Sequence, residues 1–330
     1  MRRALLLAAA LAAAAPVPAR AWRLFGEPSD GKIRPVQALN DADKPAAVIA
    51  ALTPQFLQTL RGTDLRQAYV LLGDNYDRLG RPDEALGYYQ VGVSLFPKNV
   101  DLLTRLGGLL HRNGLDARAK VFFERALVYE PRHWGAHLGL AEIDRRFGFL
   151  DRSADHYEIA LEAPEVVSRA SVWRDYAEVL RRMREEKTAE LALRKSLTLE
   201  PNSADARVDL AFVRRDQGDY QEALAQLDAA IGLGAGVGAV RAKALFLLED
   251  GRLAEAAAAA REVLGEVPGD AVGEWTLARV ALARGRPADA ARALTAVRDA
   301  SEDGFAARAA QVLLAQVKAL EAAPKGGASR

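Results

Sequence analysis

Gly80, Gly114 and Gly148 follow one another at intervals of 34 residues, and Pro97 recurs at the same interval as Pro131. Between these marks the apolar residues return at helical rather than strand spacing. Each 34-residue unit is thus predicted to be two amphipathic helices joined at the glycine and closed near the proline. A hairpin of this size cannot bury its apolar face alone, whereas stacked neighbours can. The period therefore predicts an all-α chain that grows by adding units, and its 330 residues need not split into separate domains.

The first unit, Arg66 to Asn99, carries bulky or small residues at fixed marks: Tyr69, Leu72, Gly73, Tyr76, Gly80, Ala85, Tyr89, Gly92 and Pro97. With Arg66 as mark 1, marks 8 and 20 hold a pair of small residues that returns in every unit. The pairs are Gly73 with Ala85, Gly107 with Ala119, Ala141 with Ser153, Ala177 with Ala189, Ala211 with Ala223, Ala244 with Ala256, and Ala278 with Ala290. Small residues on both helices let antiparallel backbones approach closely while larger neighbours fill the space beside them. In these marks, residues 66–299 resemble the tetratricopeptide repeat (TPR) family. The resemblance implies an α-solenoid, a right-handed superhelix of about seven hairpins.

Outside the array the pattern changes. Residues 1–21 join Arg2 and Arg3 to an apolar run from Ala4 to Ala15 and end in small residues, the layout of a secretory signal peptide cleaved before Trp22. The run is too short for a permanent bilayer helix, so a retained anchor is the lesser alternative. Residues 22–44 hold Gly26, Pro28, Gly31 and Pro35 and are expected to be an irregular leader. Residues 45–65 are predicted to form short covering helices, with Thr53 as an N-cap ahead of Pro54. Residues 300–322 are predicted to form a C-terminal capping helix and 323–330 a frayed tail. One turn breaks the rule: Arg184 stands where the other units place glycine.

Charge and residue type narrow the function. Loss of residues 1–21 removes three arginines and no acid, taking 45 basic residues to 42 against 44 acidic ones. Such a balance argues against general nucleic-acid binding, which needs a basic face. The chain has no cysteine, so disulfides and lipid attachment at a cysteine are excluded. His133 and His137 are four residues apart, but one falls in a turn and the other at a packing mark, and no metalloprotease motif accompanies them. The glycine-rich run 234–239 follows a helix rather than a strand and reads as a loop. No phosphate loop, nucleophile elbow or catalytic triad is present in the sequence. Neither a cofactor nor a metal is expected, and catalysis is not.

The resemblance implies a concave groove lined by the first helix of each unit at marks 2, 5, 9, 12 and 13. Those marks supply Arg112, Arg145, Arg146, Arg174, Arg181, Arg182 and Arg215, interrupted by Asp101, Glu142, Glu178, Asp205 and Asp216, and toward the C-terminal end Phe212, Leu245 and Trp275. A groove of this kind suits a peptide or helix of a protein partner with an acidic part and an apolar part. The competing account is that the arginines pair with acids one turn away, as Glu178 could with Arg181 and Arg182, and that the C-terminal helix covers Trp275. The carboxylate clamp of some TPR domains is not expected, because mark 9 carries Asp74, Gly108, Glu142, Glu178 and Phe212 rather than Asn. The expected function is a periplasmic, non-catalytic adaptor in cell-envelope assembly or export. The alternatives are a glycan-processing helical enzyme and a self-assembling scaffold that forms homo-oligomers.

Overall fold

The computed structural model describes residues 31–300 and 304–322. The segment 1–21 expected to direct export, leader residues 22–30 and the tail 323–330 lie outside the described residues. All regular structure among the described residues is helical, and the chain divides after Val166 into two compact units.

The first unit opens with α1 (Arg34–Asp41), α2 (Pro45–Ala51) and α3 (Pro54–Thr59). Three hairpins follow: α4 (Gly62–Arg78) with α5 (Pro82–Leu95), α6 (Val100–Arg112) with α7 (Asp116–Tyr129), and α8 (Trp134–Phe147) with α9 (Leu150–Leu161). A single turn, α10 (Pro164–Val167), lies at the division. The second unit contains α11 (Ala170–Arg182) with α12 (Glu186–Leu199), α13 (Ala204–Asp216) with α14 (Tyr220–Gly232), α15 (Val237–Glu249) with α16 (Leu253–Glu266), and α17 (Ala271–Ala283) with α18 (Pro287–Ala300). It ends in α19 (Gly304–Ala322). Within each unit the second helix of one hairpin packs on the first helix of the next, which makes an all-α solenoid.

The leader is not irregular throughout. Pro35 occupies the first turn of α1, where its fixed φ and missing N–H favour helix initiation rather than breaking it. Val36 is buried with Ile33, Val48, Leu52, Leu60 and Leu72, so α1 to α3 close the open face of α4. Thr53 caps α3 by accepting the Phe56 N–H at 3.2 Å.

The small pairs hold the hairpins together. A Cβ on Gly73 would fall 2.2 Å from the Tyr89 ring, and one on Gly107 would fall 2.8 Å from the Phe123 ring. Ala85, Ala119, Ala189, Ala223, Ala256 and Ala290 are fully buried opposite their partners. In the third hairpin Ser153 donates to the Ala141 carbonyl at 2.8 Å, so this pair is tied by a hydrogen bond as well as by size. Around the pairs lie long apolar runs: Leu102, Leu103, Leu106, Leu109 and Leu110 of α6 are all buried, and truncating one to alanine costs about 2–5 kcal/mol.

The hairpin turn is left-handed at Gly80, Gly114, Gly148, Gly218, Gly251 and Gly285. Arg184 takes the same conformation, with φ of 67°. The non-glycine residue is therefore forced into the turn rather than replaced by a different one.

Candidate functional site

On α11 and α13 the first-helix marks converge on a cleft of about 530 Å³. Arg174, Asp175, Glu178 and Arg181 come from α11, and Asp205, Val208 and Asp209 from α13. Ala235, Gly236, Gly238 and Ala239, between the end of α14 and the start of α15, complete it. The glycine-rich run expected to be a loop thus supplies a wall almost without side chains. A Cβ on Gly236 or Gly238 would meet nothing within 4 Å, so packing does not require these glycines.

Charge in this cleft differs from the expected arginine-rich surface. Four carboxylates face two guanidiniums. Arg174 donates to Asp205 at 2.8 Å and lies 3.8 Å from Asp209. Burial pushes the Asp209 carboxyl up to about 6, against the pull of Arg174 and Arg181 and with added repulsion from Asp205 and Glu178.

Beside the cleft, Arg181 donates to Asp216 at 3.5 Å, and Arg215 contacts Asp216 at 3.0 Å and Glu249 at 3.4 Å. Both guanidiniums lie over the Phe212 ring, at 5.6 and 5.7 Å, and Arg215 also covers Phe246 at 5.2 Å. Phe212 meets Phe246 edge-on, with centroids 5.2 Å apart. Arg182 lies 3.9 Å from Glu178, as the one-turn alternative anticipates. Leu245 is half-buried in the apolar cluster that contains Phe246.

Trp275 does not join Phe212 and Leu245. It packs half-buried with Leu282 against Ala278, Leu294, Val297 and the α19 residues Ala310, Leu314 and Val317. The C-terminal helix needs an apolar seat, and α17 provides it with the face that carries Trp275.

In the first unit, Arg112 pairs with Asp77 and Arg78 with Asp43. Arg146 contacts Asp116 at 2.7 Å. His111 reaches Asp116 at 2.6 Å through Nδ1 and Glu142 at 3.3 Å through Nε2. These carboxylates, Glu142 most, raise the His111 pKa against the opposing cost of burial. Arg145 is half-buried on α8. Three of the partners, Asp77, Asp216 and Glu249, lie in an adjacent repeat at mark 12 or 13, one hairpin away. Aligning those marks between successive repeats pairs Asp216, already read at its mark, with Arg181, and would have added Asp77 and Glu249.

The histidines have structural work. His133 caps α8 by accepting the Ala136 N–H at 3.2 Å. His137 donates from Nε2 to the Pro131 carbonyl at 2.9 Å, so its Nδ1 accepts from His156 at 2.9 Å. Among the described residues, no group of three or more His, Asp or Glu side chains is placed to hold a metal, and no helix is long and apolar enough to cross a membrane.

Two tetratricopeptide repeat family profiles match, one at residues 70–122 and 208–271 and the other at residues 247–319. Over 205 residues the chain is 23% identical to tetratricopeptide repeat protein 8 of Caenorhabditis elegans, a match that covers 52% of this chain and 40% of that protein. It is 26% identical over 163 residues to the BBSome complex member BBS4 of Bos taurus, covering 49% and 31%. The chain thus spans less than half the length of these curated relatives. A tetratricopeptide repeat protein from Parabacteroides merdae superposes with a TM-score of 0.56 at 18% identity, covering 77% of this chain and 98% of that one. At that identity the likeness concerns the fold.

Proposed function

This chain belongs to the tetratricopeptide repeat family, and on that premise we propose that it is a non-catalytic scaffold that binds a protein partner through the first-helix face of its second unit. The family fold is a protein-interaction fold, and the repeats occupy most of the chain. The observation that carries the proposal is the cleft between α11, α13 and the start of α15, where a glycine-rich wall leaves room beside six charged side chains. Its acids outnumber its arginines, so the partner segment presents a Lys or Arg to Asp209 and Glu178 and an apolar group beside Val208. Arg174 and Arg181 hold the acids in place and accept a carboxylate at the rim. Binding of a cation strengthens as pH rises through about 6, because Asp209 then carries its charge.

The setting we propose is the periplasm, in assembly or export of cell-envelope components. The three-part pattern of residues 1–21 supports it, and the absence of cysteine leaves no residue for lipid attachment after processing. Two measurements test the proposal. Sequencing the N-terminus of the chain from fractionated source cells should give Trp22 in the periplasmic fraction, and an intact Met1 in the cytoplasm would reject the location. Capture from an envelope extract should recover a protein on the native chain that Asp209→Lys with Glu178→Lys releases. Equal recovery on both would reject the cleft.

A further inference from the structure

We propose that α16, α17 and α18 form a second docking site, one that takes an acidic segment of a protein partner carrying an apolar side chain. A cleft of about 420 Å³ opens there, away from the first-helix marks. On α17 it uses the stripe Glu274, Leu277 and Ala281, continued by the C-cap residue Arg284, at spacings of three, four and three.

Four guanidiniums line this cleft; Arg292 is paired with Asp289, which leaves Arg261, Arg284 and Arg286. Arg284 precedes the left-handed Gly285 and Arg286 follows it, so the chain reversal brings both to one end of the hairpin, while Arg261 comes from the preceding helix pair. None of the three has a carboxylate partner among the described residues. Elsewhere in the same unit, Arg174, Arg181, Arg215, Arg241 and Arg252 all pair with acids. Of the two acids in the cleft, Asp289 is engaged by Arg292. Glu274 is held above its ordinary pKa by burial alone, with no cation acting on it.

Gathering uncompensated like charges is unfavourable unless an anion joins them, and a guanidinium offers a carboxylate two parallel N–H donors. The floor is apolar: Val280 and Ala257 are buried, and Leu277 and Ala281 present half-buried surface one helical turn apart. A segment with a carboxylate beside an apolar side chain meets both features, the apolar group on Leu277 and Ala281 and the carboxylate on Arg284 and its neighbours. This site is independent of the first-helix cleft, whose charge balance is opposite in sign.

The test uses the full chain and a fluorescein-labelled synthetic helical peptide with Leu residues one turn apart flanked by Glu. Its controls replace every Glu by Gln, or every Leu by Ser. Fluorescence anisotropy should show the Glu/Leu peptide binding at least about tenfold more tightly than either control. Arg261→Glu with Arg284→Glu should weaken it by a similar factor, and Arg174→Glu with Arg181→Glu should leave it unchanged. Circular dichroism checks that each variant stays helical, and Arg261→Gln with Arg284→Gln replaces the charge reversal if it does not fold. Equal binding of the Gln control, or loss through the α11 variants alone, would overturn the proposal. Concentration-dependent self-association, abolished by the Arg261 and Arg284 changes, would overturn it in favour of a second copy of this chain as the occupant.

Discussion

Arg181 on α11 and Asp216 on α13 face one another across successive repeats, 3.5 Å apart and 35 residues apart in sequence. Arg215 repeats the arrangement with Glu249, 34 residues on. In the first unit the polarity is reversed: the acid Asp77 stands at mark 12 and the cation Arg112 at mark 13 of the next repeat. One geometric relation between neighbouring hairpins thus carries opposite charge orders in the two units.

These bridges are partly exposed, and exposed ion pairs contribute at most about 1 kcal/mol. Arg215 differs because it also covers Phe212 and Phe246. Arg215→Ala is therefore expected to cost about 1 kcal/mol, and Arg112→Ala less. Urea midpoints compare the two, and equal losses would mean that the aromatic stacking adds nothing.

His111 makes the first unit sensitive to pH. Its pKa is raised above 6.5 by Glu142 and Asp116, so the folded state binds the proton more tightly than the unfolded chain. The resulting stabilisation is complete below the unfolded value and is lost as pH rises through the folded one. The thermal midpoint of the native chain should exceed that of His111→Gln at about pH 5 and approach it at about pH 9. A constant difference would contradict this assignment.

Gly139 on α8 and Phe123 on α7 define a close approach. Gly139→Ala places a Cβ 2.2 Å from the ring and is expected to destabilise by about 1–3 kcal/mol. Phe123→Leu should restore much of the loss in the double variant. Additive costs would show that the two positions do not interact.

Arg184 adopts φ of 67° where the other turns use glycine. A side-chain-bearing residue there costs about 1–2 kcal/mol, less the backbone entropy that glycine loses on folding, about 0.5–1 kcal/mol. Arg184→Gly should then raise stability by up to about 1.5 kcal/mol, whereas Gly148→Ala lowers it. A loss in both would mean that the arginine side chain compensates its own strain.

The hairpins were legible because turn glycines and small pairs are local requirements that repeat: Gly73 must be small beneath the Tyr89 ring, and Gly80 must turn left-handed. The start of α1 was not, since Pro35 resembles a breaker until its place in a first turn is known. Among the candidate site residues, Arg174 and Arg181 do line one cleft, but their partners Asp205 and Asp216 lie one repeat away, and a search one helical turn away misses them. Trp275 follows the competing account, in which the C-terminal helix covers it. Its mark gives the face of α17, while the seat of α19 decides what covers that face.

The central claim is that a protein partner occupies the α11–α13 cleft. A photo-crosslinking residue at Val208, inside that cleft, can be compared in the source cells with one at Val128, which is 75% exposed on α7. The account predicts a discrete crosslinked protein from position 208 that disappears with Asp209→Lys, and none from position 128. A product from position 128 alone, or one from position 208 that survives Asp209→Lys, would contradict it.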